Sequence, residues 1–181
     1  MKLRASEIVT LDGVMEASNQ WFFQFMDPEY EKDIKSALRE TDAFLFGRKT
    51  YLEMTPWAER TGEMADRFNT LPKYVVSTTL SEVTWNNSHL ISENIVEEVA
   101  KLKAQPGGYL LINGSADLIR LLTQHDLIDE YYLSVAPLVL GKGKRLFQEG
   151  DQARLRPIGS KVYTSGIVRL GFEAVKQGKS V

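Results

Sequence analysis

The sequence predicts an α/β fold, a three-layer αβα arrangement with a mixed, mostly parallel central sheet and a C-terminal antiparallel hairpin. Three observations predict it. Short, continuous apolar runs at residues 43–46, 71–76 and 109–112 have the character of strands covered on both faces. Each run ends in glycine or small hydroxyl residues, Gly47, Ser77 and Asn113-Gly114-Ser115, with helical patterns between them. Beyond Asp129 strands dominate: residues 130–140 form one long candidate closed by Pro137 and Gly141, and residues 161–164 and 167–175 flank Ser165-Gly166 as a hairpin. In that hairpin Val168, Leu170, Phe172 and Ala174 alternate as one buried face.

The first strand is expected over residues 3–11 and stops at Asp12-Gly13, a turn pair. Residues 14–26 carry Trp21, Phe22 and Phe23 in succession, which cannot all point into one core, so some should line a cleft. Asp27-Pro28 is a helix start with Asp27 as N-cap, and Tyr30, Ile34, Ala37 and Leu38 form the inner stripe of a helix to about Glu40. A second helix starts after Gly47 and should end near Pro56. Residues 58–70 are polar and partly helical, and residues 85–91 add a short strand. Asn94 with Glu97 resembles a capping box before a helix that Gly107-Gly108 ends. Ser115 is the N-cap of the helix carrying Leu118, Ile119 and Leu122 inward, and residues 178–181 read as a loose tail.

At 181 residues, 43% hydrophobic and 25% charged, the chain fits a single domain over residues 1–181. A net charge of -2, from 22 basic and 24 acidic side chains without a basic block, argues against a nucleic-acid or membrane surface as partner. No apolar run approaches the roughly 20 residues of a membrane span. The N-terminus enters a strand instead of a signal-peptide core, so a cytoplasmic location is expected. Zero cysteines exclude thiolate chemistry, and with only His89 and His125 no metal site is expected.

In a parallel sheet the junctions at Gly47, Ser77 and Gly114 all lie at the carboxyl edge, where open α/β sheets bind ligands. At the first, Arg48 and Lys49 sit where the helix dipole is already positive, an arrangement that an anion docked on the free N–H groups would relieve, with the Thr50 hydroxyl as a further donor. Ser77, Thr78 and Thr79 offer hydroxyls at the second, with no acid before Glu82. Three phosphate-compatible junctions on one edge suggest a dinucleotide. Neither a GxGxxG nor a GxxxxGK[ST] loop is present, so the standard Rossmann and P-loop fingerprints do not apply.

The stretches TLDG (10–13), FGRKTY (46–51), KYVVSTTL (73–80), INGSADLIRLL (112–122), APLVLGKGKRLF (136–147) and YTSGIV (163–168) together resemble the dihydrofolate-reductase-like superfamily, and within it the branch of the reductase domain of bacterial riboflavin biosynthesis. The resemblance implies an eight- or nine-stranded mixed sheet, NADPH as cofactor and commonly a homodimer. It implies that Gly47, Arg48, Lys49 and Thr50 hold the pyrophosphate side, and that Ser77, Thr78 and Thr79 hold the adenosine ribose phosphate. Gly114, Ser115, Ala116 and Asp117 would meet the pyrophosphate at the second helix start, and the TLDG loop would close over the nicotinamide. Thr10 stands where the family usually has serine.

The expected function is an NADPH-dependent reductase, of the dihydrofolate reductase or 5-amino-6-(5-phosphoribosylamino)uracil reductase kind, passing hydride to a C=N or C=O bond of a small heterocyclic or sugar-linked substrate. Asp12 is the candidate catalytic residue, able to orient a substrate or relay a proton. Trp21, Phe22 and Tyr51 are the candidates to touch the substrate. The acids of the first helix, Glu29, Glu31, Asp33 and Glu40, lie off its predicted inner face and look solvated. That favours the alternative, a non-catalytic nucleotide- or pterin-binding module of the same fold. The C-terminal strands from Glu130 onward are expected to help build a two-fold dimer interface, because Tyr131, Tyr132, Leu133, Val135 and the alternating hairpin leave an apolar edge.

Overall fold

The computed structural model describes residues 1–176, and the expected tail at residues 178–181 lies outside them. In chain order the elements are β1 (Lys2–Thr10), α1 (Ser18–Trp21), α2 (Pro28–Arg39), β2 (Thr41–Gly47), α3 (Arg48–Met54), α4 (Glu63–Thr70), β3 (Lys73–Val76), β4 (Ser88–Ile91), α5 (Ile95–Ala104), β5 (Tyr109–Ile112), α6 (Ala116–Gln124), β6 (Glu130–Ala136), β7 (Leu155–Val162) and β8 (Val168–Ala174). They build one eight-stranded sheet in the order β4-β3-β2-β5-β1-β6-β8-β7. The six strands from β4 to β6 are parallel, and β8 and β7 add to β6 antiparallel.

The apolar run of β2 shows why the fold has three layers. Ala43 and Leu45 pack on one face with Val99 and Leu102 of α5 and Leu118, Ile119 and Leu122 of α6. Phe44 and Phe46 pack on the other with Leu38 of α2, Tyr51 of α3 and Phe68 of α4. Each leucine or phenylalanine so buried contributes about 1.5–3 kcal/mol. A third cluster, Trp21, Phe22, Tyr30, Ala136, Tyr163 and Ile167, fills the space between α2 and the sheet beside β6.

Strand lengths shape the site. The β1–β5 ladder ends at Ala5 opposite Ile112, whereas the β1–β6 ladder continues to Thr10 opposite Ala136. Residues 6–10 of β1 therefore run past β5 without a strand on that side, leaving a notch at the carboxyl edge.

Several local expectations are corrected or refined. The second helix does end near Pro56, since α3 stops at Met54, but the chain continues into a 3-10 turn over Thr55–Glu59, where proline fits as an early residue. Asn94 sits in the left-handed region at φ 49° and its side chain makes no capping bond, so the capping box is not formed. Helix α5 ends at Ala104, before the glycine pair. Strand β6 stops at Ala136. The hairpin's first strand starts at Leu155 instead of residue 161, because Pro157 is tolerated on an edge strand, at a register shift. The alternating face of β8 is half-buried, not fully covered.

At the amino edge, Arg4 is buried between the rings of Tyr109 and Tyr132, 3.4 and 4.8 Å from their centroids. Its guanidinium donates through Nε and Nη2 to Glu130, at 3.1 and 2.9 Å. Removing one member of a buried pair strands the other charge. Arg4→Ala is expected to cost about 3–5 kcal/mol in urea unfolding, and a loss below about 1 kcal/mol would show that Glu130 finds another partner.

Candidate functional site

The three junctions fall on neighbouring strands. Gly47 ends β2 opposite Val76 of β3, and Leu45 pairs with Ile112 of β5, so the β3, β2 and β5 ends lie side by side. Two of them interlock. A Cβ added to Gly47 would collide with the Ser115 side chain, and one added to Gly114 would collide with Thr50. Gly114 has φ +80°, which a side chain would strain in any case, and Ser115 follows in the left-handed region at φ 69°. The missing side chains thus let the starts of α3 and α6 converge on one spot, with the Thr50 and Ser115 hydroxyls between them.

Around this spot the candidate residues take different parts. Arg48 and Lys49 are exposed, and Lys49 has only a loose 4.0 Å contact with Glu53. Ser77 is buried, and its Oγ accepts from the N–H groups of Thr79 and Leu80 at 3.2 and 3.0 Å, which turns the loop and leaves Thr78 and Thr79 at the surface. Ser115 caps α6, its Oγ accepting from Leu118 N at 3.4 Å. Ala116 is buried under the junction. Asp117 ion-pairs with Lys144 and Arg120. The Lys144 contact above all holds its carboxyl below the usual range. Asp117 thereby ties the loop after β6 to α6, its charge matched by Lys144 and Arg120.

Asp12 accepts from the Thr10 hydroxyl at 2.6 Å, from Gly141 N at 2.8 Å and from Leu140 N at 3.2 Å. The Thr10 bond first, then the two backbone donors, bring its carboxyl down to about 2. Arg145 Nε also donates to the Asp12 carbonyl at 3.0 Å. Asp12 is thus an ionised carboxylate across the neutral range, an acceptor with no proton of its own to donate, and it clamps the TLDG turn to the loop after β6.

The aromatic candidates are not gathered at the notch. Trp21 and Phe22 are buried against Tyr30, with Trp21 Nε1 donating to Glu16 O at 3.0 Å, and it is Phe23 that is 66% exposed. Tyr51 is 2% exposed, and its hydroxyl accepts from Thr84 N and Trp85 N at 3.0 and 2.9 Å. Its ring and hydroxyl are thereby occupied in holding the loop before β4. On α2 the inward residue is Tyr30, whose hydroxyl donates to Ser134 Oγ at 2.9 Å. Asp33 is not simply solvated, since it accepts from Lys161 at 2.5 Å and from the Tyr163 hydroxyl at 2.8 Å.

Sequence reasoning missed Glu7. It lies on β1 past the last β5 partner, is 4% exposed, and accepts from Gly114 N at 2.8 Å. Burial pushes its carboxyl up to about 8, with the Gly114 N–H pulling the other way. The available signal was the only acid of β1, in step with Leu3, Ala5 and Val9 on the strand's buried face.

Comparison with known proteins places this geometry. The RibD C-terminal domain matches residues 1–169. The chain belongs to that family. YyaP of Bacillus subtilis (strain 168), itself uncharacterized, is 34% identical over 91% of this chain and 90% of its own length. A putative riboflavin biosynthesis protein from Shewanella sp. PV-4 superposes with TM-score 0.79 at 22% identity, over 97% of this chain and all of that one. Dihydrofolate reductase from Enterococcus faecalis, complexed with NADP(H), superposes with TM-score 0.67 at 15% identity over 97% of both chains. These likenesses establish the dihydrofolate-reductase-like fold for this member of the RibD C-terminal family. No helix among the described residues is long and apolar enough to cross a membrane.

The clamp at Asp12 has a pH signature. Its carboxyl lies near 2 in the fold against about 3.9 unfolded, so its contribution is present above about pH 4 and lost as pH falls toward 2. Asp12→Asn is expected to unfold more easily at pH 7 and to show a shallower loss between pH 4 and 2. Unfolding curves for the two proteins that run parallel across that range would contradict the clamp.

Proposed function

We propose that the chain is an NADPH-dependent reductase, passing hydride to a C=N or C=O bond of a small heterocyclic substrate, of pterin or pyrimidine type, or of a sugar-linked one. The observation that carries this is the interlock of Gly47 with Ser115 and of Gly114 with Thr50, a cradle that a Cβ would fill, set beside the strand-free edge of β1. Membership of the RibD C-terminal family and a fold shared with an NADP(H)-bound dihydrofolate reductase support the reading.

Bound NADPH would supply the hydride. Arg48 and Lys49 would meet its phosphates as exposed cations, with the Thr50 and Ser115 hydroxyls as donors between the two helix starts. Thr78 and Thr79, presented by the Ser77 turn, would take the ribose phosphate without an acidic residue to repel it. The strand-free edge of β1 would offer backbone groups to the nicotinamide end, under the turn that Asp12 clamps. A second reading, a binding module without turnover, is favoured by α2, where Tyr30 points inward and Asp33 is engaged by Lys161 and Tyr163. Thermal stabilisation by NADPH with no oxidation of it across pterins, pyrimidines and carbonyl compounds would select that reading.

A homodimer is part of the proposal, with its surface narrowed from all the C-terminal strands to the hairpin edge. Strand β6 is interior, paired with β1 and β8, so the same chain already covers it. Strand β7 is the edge, and its Ile158 and Val162 are 44% and 70% exposed. Light scattering at micromolar concentration is expected to give twice the chain mass, and a monomer mass would remove the dimer.

Cofactor choice tests the main reading. A charge-assisted contact to the extra phosphate is worth about 1.5–3 kcal/mol, roughly ten- to a hundredfold in affinity. Calorimetric titration should show NADPH binding more tightly than NADH by about that factor, with Arg48→Ala narrowing the gap. Equal affinities in the wild type would refute the preference.

A further inference from the structure

Glu7 is the only acid on β1, and it is 4% exposed. It stands two residues past Ala5, the last β1 residue with a partner on β5, and so forms part of the wall of the notch. Through Oε1 it accepts from Gly114 N at 2.8 Å, in the loop that also supplies Ser115 and the start of α6. Among the described residues no cation pairs with it, and no protein group bonds its other oxygen.

Three acids stand around this edge, and their surroundings push them apart. Asp12 is held down by the Thr10 hydroxyl and two backbone donors, and Asp117 by Lys144 and then Arg120. Glu7 is pushed up to about 8 by burial. In sites with such a split, the protonated carboxyl is the hydrogen-bond or proton donor. An ionised Glu7 would face the phosphates of a bound dinucleotide as a second negative charge in a poorly solvated wall, where repulsion is little screened.

We propose that Glu7 is a ligand of the dinucleotide, a neutral carboxylic acid that accepts from Gly114 N–H through one oxygen and donates its own proton to an acceptor oxygen of the cofactor through the other. The inference rests on the NADPH reading above. Cofactor and proton then bind together. The other charged groups on the helix starts and loops that meet at the notch are Asp12, Glu16, Arg48, Lys49, Glu53, Asp117, Arg120, Lys142, Lys144 and Arg145. Lys73, buried on β3 and lowered to about 8 by desolvation, titrates in the same window at the far end of its strand. A comparison with Glu7→Gln cancels all of these. The amide keeps an acceptor for Gly114 and a donor for the cofactor but cannot ionise. The 2′-phosphate of NADPH, with its second pKa near 6, does not change charge above pH 7.

The test is calorimetric titration with NADPH at pH 7 and pH 9 of wild type, Glu7→Gln and Glu7→Leu, with thermal unfolding to confirm that each variant is folded. Wild-type affinity is expected to fall about tenfold from pH 7 to 9, and the ratio for Glu7→Gln to fall to about one. Glu7→Leu, which keeps neither hydrogen bond, should bind about tenfold or more weakly than wild type at pH 7. If Glu7→Leu does not fold, the Gln comparison decides alone. Equal wild-type affinity at the two pH values, or the same pH loss in Glu7→Gln, overturns the inference and leaves the cofactor reading standing. Failure of the wild type to bind NADPH at pH 7 removes that reading and the inference with it.

Discussion

The close approach of two strand-to-helix turns, at Gly47 and at Gly114, is the constraint on which the rest of the site depends. Neither backbone could take its place with a side chain, because the Ser115 and Thr50 side chains occupy the space where a Cβ would stand. This contact fixes where α3 and α6 begin and sets their hydroxyls side by side. It also places the Gly114 N–H over β1, where Glu7 meets it. The core supplies the rigidity behind it: β2 is packed on both faces, so the turn that follows has little freedom to shift.

A second layer of polar contacts ties the loops to this frame. Asp12 joins the end of β1 to residues 140 and 141, Glu16 accepts from Lys144 N at 3.0 Å, and Asp117 draws Lys144 and Arg120 to α6. The Asp117 ion pairs, at an exposed carboxylate, are worth about 0–1 kcal/mol each. The value of the whole set lies in holding two loops against one helix start. The clamp and the buried acid respond to pH in opposite directions: acid releases Asp12, whereas alkali charges Glu7.

The sheet, its layer order and its three junctions were legible because they rest on short-range signals. Apolar runs ending in glycine or serine specify buried strands and the turns after them, and Asp27-Pro28 specifies a helix start that the Asp27 side chain does cap, accepting from Tyr30 N at 2.8 Å. What the sequence hid depends on partners far along the chain. Asp12 and a catalytic acid look alike until Gly141, more than a hundred residues away, is seen donating to it. The roles of Tyr51 and Asp117 are likewise set by Trp85 and Lys144. Glu7 was invisible because its character comes from burial and from the early end of β5. Strand β7 was read short because Pro157 and Gly159 look like loop residues, and only its edge position makes them tolerable.

The central claim is that a dinucleotide lies across the ends of β3, β2 and β5. Its most direct test is amide NMR of the labelled protein during titration with NADPH. The account predicts shifts concentrated at Gly47, Arg48, Ser77, Thr78, Gly114 and Ser115, with Ser160 and Lys161 on the edge strand unmoved. Shifts centred on the edge strand, or none at saturating NADPH, would contradict it.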